Sequence, residues 1–174
     1  MVIALAGRRI DAEGAEPRFP AANAAQVKTR IAAAFEELGA RALVSSAACG
    51  ADILGQEAAR EARLTRRVVL PFARHDFRKT SVADRGGDWA GRFDRIMEDI
   101  ETIVLDFDPG ADGAYAAANH AILDEAVAMA TDLEQAVTAL VVWNGQSRGE
   151  DDLTNAFAGE AKRRGLPVVE VLTV

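Results

Sequence analysis

The sequence predicts a doubly wound α/β fold, with a mainly parallel sheet of about six strands flanked by helices. Short apolar runs alternate with helical segments six times along the chain, which is the pattern of consecutive βαβ units. The apolar runs are continuous rather than alternating, as in strands that helices cover on both faces. The 174 residues, 49% of them hydrophobic, suffice for one core. We therefore predict one domain over residues 1–174, either a whole protein or a module of a longer one.

Three strands and two helices are predicted in the first half of the chain. Each strand is a short apolar run, and the first helix carries Val27 and Ile31 on one stripe. Gly7 stops the first strand, and Pro71 closes the third. In order, the predictions are a strand at 2–6, a helix at 24–38, a strand at 41–45, a helix from about 50 to 62 and a strand at 66–72. Residues 73–88 are polar, charged and glycine-containing, which favours a long loop.

The second half of the chain continues the alternation. Residues 89–99 carry Phe93, Ile96 and Met97 at helical spacing, and residues 108–113 form a loop of Asp, Pro, Gly and Ala. The remaining predictions are a strand at 102–107, an Ala-rich helix at 115–133, a strand at 136–143, a helix at 151–164 and a strand at 166–172. This order completes a sheet of six strands.

Composition and charge argue against several classes of partner. The net charge of −7 disfavours binding to nucleic acid or to an anionic membrane surface, since both need a basic face. The single cysteine, Cys49, excludes an internal disulfide and fits a reducing compartment. The two histidines, His75 and His120, have no partner at metal-ligand spacing, and no apolar run approaches the roughly 20 residues that span a bilayer. We expect a cytoplasmic protein with no metal, cofactor, nucleic-acid or membrane partner.

A ligand site is expected at the carboxyl ends of the strands. In an open parallel sheet, ligands bind there at the point where the strand order reverses, and helix N-termini direct free N–H groups into the same crevice. Gly7 lets the backbone approach a ligand, and Arg8 can contact a phosphate through two hydrogen bonds, although a tight turn with solvated arginines is the alternative. The small, polar turn after the second strand supplies the candidates Ser45, Ser46, Cys49, Gly50 and Asp52.

Further candidates lie at the end of the fifth strand and at the start of the last two helices: Trp143, Asn144, Gly145, Tyr115, Asn119 and Thr154. Trp143 packs against a base or ribose or, alternatively, lies in the core. Tyr115 and Asn119 are one helical turn apart, so they share a face that either borders the crevice or forms exposed polar surface. Phosphate is expected on residues 45–52 and on Arg8, with the base or ribose against residues 143–145.

Three segments in a fixed order carry a family resemblance. They are Ile3-Ala-Leu-Ala-Gly-Arg8, Val44-Ser-Ser-Ala-Ala-Cys-Gly-Ala-Asp52 and Val142-Trp-Asn-Gly145. With them the chain resembles the SMF/DprA–LOG (SLOG) superfamily of Rossmann-like domains over nearly its whole length. The segment Val69-Leu-Pro-Phe72, followed by Asp76 and Trp89, resembles the branch of that superfamily found beside signalling modules such as nucleotide cyclases.

The resemblance implies a sensor or regulatory domain that binds a nucleotide or a nucleotide-derived signal. One alternative is an N-glycosidase (phosphoribohydrolase) of the LOG type, with Asp52, Glu57 or Asp152 as the carboxylate. LOG enzymes carry Pro-Gly-Gly-x-Gly-Thr-x-x-Glu after the fifth strand, whereas here the glycine pair is missing and no glutamate follows Thr154 at that spacing. This departure argues against the glycosidase chemistry. A scaffold module with a decayed site is the third alternative.

Two accessory roles follow from other segments. Residues 74–88 form a candidate lid, or else a surface excursion, that would supply Arg74, Arg78 or Lys79. The Ala-rich helix at 114–130 can pack a homodimer. The resemblance also implies a signalling domain that is fused to the chain or partners it.

Overall fold

The computed structural model describes all residues, 1–174, and contains six strands and six helices. The strands are β1 (Val2–Gly7), β2 (Ala42–Ser45), β3 (Thr65–Leu70), β4 (Glu101–Val104), β5 (Val137–Trp143) and β6 (Val168–Leu172). The helices are α1 (Ala24–Glu37), α2 (Ala51–Glu61), α3 (Arg74–Ser81), α4 (Trp89–Ile96), α5 (Ala114–Asp132) and α6 (Leu153–Arg163). None of these helices combines the length and the apolar content that a bilayer crossing requires.

All six strands lie in one parallel sheet, in the order β4-β3-β2-β1-β5-β6. The chain proceeds outward from β1 to β4 and then returns to add β5 and β6 on the other side of β1. The strand order therefore reverses between β1 and β5, where Gly7 pairs with Val142. The predicted doubly wound α/β fold is confirmed.

Helices cover both faces of the sheet. On one face, Ile3 and Leu5 pack in a core cluster with residues of α1, α2, α3 and α4. On the other face, Val2 and Ala4 pack with residues of α5 and α6. Since neighbouring residues of a strand point to opposite faces, a continuously apolar strand is what this two-sided burial requires. β1 is accordingly buried over residues 2–6.

Helix α3 lies within residues 73–88, where the sequence predicts a loop, and that prediction is wrong for residues 74–81. The helix is polar and charged apart from Phe77, which is fully buried. The ring of Phe77 stacks on Phe93 at a centroid distance of 6.2 Å and lies 6.1 Å from Phe72. One aromatic anchor thus holds a helix whose average composition is that of a surface segment, because tertiary packing outweighs local propensity.

Candidate functional site

A cleft of about 500 Å³ opens at the carboxyl edge of the sheet, where the strand order reverses. Its walls come from the end of β1 and the loop that follows, the β2–α2 turn, the end of α3, the first turns of α5, and the β5–α6 loop with the start of α6. This is the place where doubly wound sheets hold their ligands. The cleft also lies within the volume range of small-molecule sites.

Seven of the candidates from the sequence line this cleft: Gly7, Arg8, Ser46, Asp52, Tyr115, Asn119 and Thr154. They are distant in sequence, and the parallel topology brings them to one edge. Tyr115 and Asn119 are held by hydrogen bonds. The tyrosine hydroxyl and Ser81 Oγ are bonded to each other at 2.8 Å, and Asn119 Nδ2 donates to the carbonyl of Leu153 at 2.9 Å.

The structure does not bring Trp143 into the cleft. Its side chain belongs to the core on the α5–α6 face and is 9% exposed. The indole N–H donates to Glu170 Oε2 at 3.0 Å, which satisfies the polar end of the ring. Asn144 and Gly145, which follow it, also lie outside the cleft lining. The expected base-binding edge at residues 143–145 is therefore not part of the cleft wall.

Ser45, Cys49, Gly50 and Glu57 also lie outside the cleft wall. Ser45 is buried, and its hydroxyl donates to the carbonyl of Ser46 and accepts from Gln56 Nε2. Cys49 is buried, and burial raises the pKa of its thiol, which makes it a poor nucleophile. Both carboxylate oxygens of Glu57 accept from Arg92.

Gly7 and Gly50 serve the packing of the chain against itself. A Cβ on Gly7 would lie 2.4 Å from the Cβ of Ala51, and a Cβ on Gly50 would lie 2.7 Å from the carbonyl oxygen of Arg8. Gly50 has a φ of +107° and forms an isolated antiparallel bridge with Arg9. The two glycines therefore let the start of α2 approach the loop that follows β1.

The amide groups of the β2–α2 turn are bonded within the chain. Ala48 N–H donates to Asp52 Oδ2 at 3.2 Å, Cys49 N–H donates to the carbonyl of Ser81, and Ala51 N–H donates to the carbonyl of Arg8. The turn borders the cleft as expected, but these amides do not form an open anion cradle. The buried hydroxyl of Ser46 is the turn's side-chain donor without a partner.

Arg8 and Asp152 form a buried ion pair. Arg8, which is 4% exposed, donates from Nη1 to Oδ1 at 2.6 Å and from Nη2 to Oδ2 at 2.7 Å, and Nη2 also donates to the carbonyl of Gln146. Asp152 caps α6 by accepting from the amides of Thr154 and Asn155. Burial alone would raise the pKa of Asp152, but hydrogen bonds from Arg8 and from backbone amides hold it well below its usual range. The pair joins the β1 loop to α6.

Asp52 places a titrating carboxyl group in the cleft. It lies in the first turn of α2 and is 7% exposed. Burial raises the pKa of Asp52 to about 7, although the hydrogen bond from Ala48 and the charge of Arg9 act in the opposite direction. A carboxyl with this pKa exists in both protonation states near neutral pH, so it can give or take a proton there.

Four arginines besides Arg8 line the cleft: Arg9, Arg18, Arg85 and Arg148. Arg9 pairs with Asp84, which also pairs with Arg85 at 2.7 Å, and Arg18 pairs with Glu16 at 2.8 Å. The sequence singled out Arg8 and its neighbour because they directly follow a strand. The other three come from loops whose path only the folded chain defines.

The segment proposed as a lid contributes different residues from those expected. Arg74 donates to the carbonyl of Met97, and Arg78 forms two hydrogen bonds with Asp94 on α4. These side chains are used within the chain, and none of Arg74, Arg78 and Lys79 lines the cleft. The segment instead lines the cleft with Phe77, Ser81 and Arg85.

The fold and the cleft define a Rossmann-like α/β protein with a small-molecule-sized site at the switch point. No protein-family model matches the chain, and no match is found among curated proteins. Among solved structures, the chain is similar to DNA processing protein A (DprA) from Streptococcus pneumoniae, with 17% identity and a TM-score of 0.45. The match covers 97% of this chain and 57% of that chain, so this chain spans little more than half the length of DprA. The Rossmann-like fold is defined by the strand order and the two helix layers of the chain itself.

The exclusion of nucleic acid as a partner, which was based on net charge, does not hold. The similar structure is that of a DNA processing protein, and this name describes that protein alone. The physical reason is that a net charge of −7 describes the whole chain and does not give the charge of any one part of its surface.

Proposed function

We propose that the protein binds a nucleotide or a nucleotide-derived ligand in the cleft and acts as a sensor or regulatory domain. The observation that carries this proposal is the cleft itself, which combines arginines, hydroxyl groups, an amide and a partly exposed aromatic ring at the switch point of the sheet. A concave cleft of this size at the switch point of a parallel sheet is a typical position for a small-molecule site. An open cleft of this size also favours a ligand over a scaffold with a decayed site.

The charges of the cleft suit an anionic ligand. The five arginines carry five positive charges, and four acids in the cleft wall or in contact with these arginines carry four negative charges: Asp11, Glu16, Asp84 and Asp152. One positive charge is therefore uncompensated whenever Asp52 is protonated. The wall also includes Thr154, whose hydroxyl group can donate to phosphate or sugar oxygens.

The ring of Tyr115 supports binding of a nucleobase. Tyr115 is 36% exposed, and its ring makes an edge contact with Phe72 at a centroid distance of 5.7 Å. The hydrogen bond to Ser81 fixes the ring at the cleft wall. A fixed aromatic face loses little conformational entropy when a base stacks on it.

Calorimetry with nucleoside monophosphates, cyclic dinucleotides and ADP-ribose tests this proposal. We expect saturable binding of at least one of them, and we expect Ala118→Phe to weaken that binding at least tenfold, because Ala118 lies in the cleft wall. Ala128→Phe, at an exposed position of the same helix, is the matched control and leaves affinity unchanged. Circular dichroism verifies that both variants fold. Absence of binding to the wild type at millimolar ligand contradicts the proposal.

Asp52 supports a second candidate function, hydrolysis of a nucleotide N-glycosidic bond. Of the three carboxylates considered, Glu57 is engaged by Arg92 and Asp152 by Arg8, so Asp52 is the one that lines the cleft. An ionised carboxylate beside the sugar stabilises an oxocarbenium-like transition state. With a pKa of about 7, a large share of Asp52 is ionised at neutral pH.

Incubation with nucleoside monophosphates, followed by chromatography of the released base, tests the second candidate. Asp52→Asn is expected to abolish base release, because the amide keeps the shape of the side chain and removes its charge. Asp151→Asn, at an exposed position outside the cleft wall, is expected to leave the rate unchanged. If the wild type releases no base from any monophosphate, this candidate is ruled out and the binding proposal stands.

The setting of this function is also part of the proposal. We propose that residues 1–174 act as one domain in the cytoplasm and belong to the signalling-associated branch of the SLOG superfamily. The Ala-rich stripe of α5 is used largely inside the chain, since Ala114, Ala118, Ala126 and Ala130 are all buried. The stripe is therefore accounted for by packing within one chain.

A further inference from the structure

We propose that Arg148 is the residue with which the cleft recognises a phosphate group of its ligand. This inference rests on the proposed nucleotide binding and adds to it the residue that separates a phosphorylated ligand from its unphosphorylated form. It follows from which of the five cleft arginines form ion pairs, and from the hydrogen bonds that fix the backbone of the loop that carries Arg148.

Four of the five arginines have an acid partner within the chain. Arg8 is bonded on two nitrogens to Asp152, Arg9 and Arg85 share Asp84, and Arg18 pairs with Glu16; this accounts for Arg8, Arg9, Arg18 and Arg85. An anion that bound to any of these four side chains would have to displace a carboxylate or lie beside one that repels it. Their guanidinium groups are therefore poor first contacts for phosphate.

The guanidinium of Arg148 forms no hydrogen bond or ion pair, although the residue lines the cleft. Its backbone is nevertheless fixed, because its amide donates to Asp152 Oδ2 at 2.8 Å. Two residues earlier, the carbonyl of Gln146 accepts from Arg8 at 2.7 Å. The buried ion pair thus holds the backbone of this loop in place and leaves the charged end of Arg148 free to reach a ligand.

The chemistry of this free group matches phosphate. Guanidinium donates two parallel hydrogen bonds to two phosphate oxygens, which an ammonium group cannot reproduce. Three acids follow Arg148 in the chain at positions 150–152. Asp152 is compensated by Arg8, and the exposed Glu150 and Asp151 form no ion pair with Arg148. An anion beside Arg148 therefore meets a guanidinium group that no carboxylate holds.

Calorimetry on the full chain tests the inference, with AMP, GMP, their nucleosides adenosine and guanosine, and inorganic pyrophosphate as probes. Arg148→Gln is expected to weaken binding of the monophosphates about 10–100-fold, the range of one charge-assisted contact, and to leave nucleoside binding unchanged. The affinity of Arg148→Lys for the monophosphates is expected to lie between that of the wild type and that of Arg148→Gln. Arg163→Gln, at an exposed position of α6 paired with Glu160, is the matched control and binds like the wild type.

The outcomes separate this inference from the proposed function. If the wild type binds a monophosphate and Arg148→Gln binds it equally well, or loses nucleoside and monophosphate to the same extent, the inference is wrong and nucleotide binding stands. If only pyrophosphate binds, and Arg148→Gln abolishes this, the inference holds and nucleotide binding fails. If the wild type binds none of the probes, both are overturned.

Discussion

Arg8→Met is expected to lower the free energy of unfolding by about 3–5 kcal/mol, the cost of leaving a buried charge without its partner. Methionine keeps much of the volume of the side chain and removes both hydrogen bonds to Asp152. The carboxylate of Asp152 would remain almost fully buried and would retain only its backbone donors. Urea denaturation at pH 7, with midpoint and slope compared with the wild type, measures the loss.

A double-mutant cycle identifies the cause of this loss. Asp152→Ser keeps a helix-capping oxygen at the start of α6 and removes the charge. We expect Arg8→Met to cost much less in the Asp152→Ser background than in the wild type, because no unpaired carboxylate then remains. Equal costs in the two backgrounds would show that Arg8 stabilises the fold through packing, including its position 5.8 Å from the ring of Trp143, rather than through the ion pair.

Asp52→Asn is expected to stabilise the protein at pH 8 by up to about 4 kcal/mol relative to the wild type. The pKa of Asp52 is raised from 3.8 to about 7 on folding, so the folded state holds its proton over a pH range in which the unfolded state has released it. This contribution is fully present below pH 4 and is lost as the pH rises through about 7. The wild type should therefore lose stability between pH 5 and pH 8, and the asparagine variant should lose much less.

Unfolding free energies from urea titrations at pH 5, 6, 7 and 8 give the two curves. Asp151→Asn, an exposed neighbour of the α6 cap, controls for the loss of one negative charge from the surface. Its curve should run parallel to that of the wild type. If the Asp52→Asn curve also runs parallel to the wild type, Asp52 is not buried as a neutral acid, and its assignment as the titrating group of the cleft fails.

The sheet could be predicted from the sequence because its signal is local. Continuous apolar runs such as that at β1 predict strands buried on both faces, and each run is bounded by a breaker such as Gly7. Helix α3 was missed because Phe77 is its one buried apolar residue, and the rings that Phe77 contacts belong to Phe72 and Phe93. A single apolar residue creates no periodic pattern.

The position of the cleft could also be predicted, but the pairing of its side chains could not. The carboxyl-edge rule placed Ser46, Asp52 and Thr154 at one edge of the sheet, where they line one cleft. The ion pair of Arg8 could not be predicted, because its partner Asp152 lies 144 residues away and is recognisable from the sequence only as a candidate helix cap. The availability of Arg148 follows from that same pair, so the sequence alone gave no reason to single it out.

The central position of β1 has a consequence for how the protein is made. β1 leaves the ribosome before β5, yet β5 is one of its two hydrogen-bonding partners, where Val2 meets Val137. Until β5 has been synthesised, the nascent chain exposes an unpaired edge of a strand that is buried over residues 2–6 in the folded protein. Such non-local pairing slows folding and leaves an aggregation-prone intermediate, so a ribosome stalled before residue 137 should hold a chain that depends on chaperones.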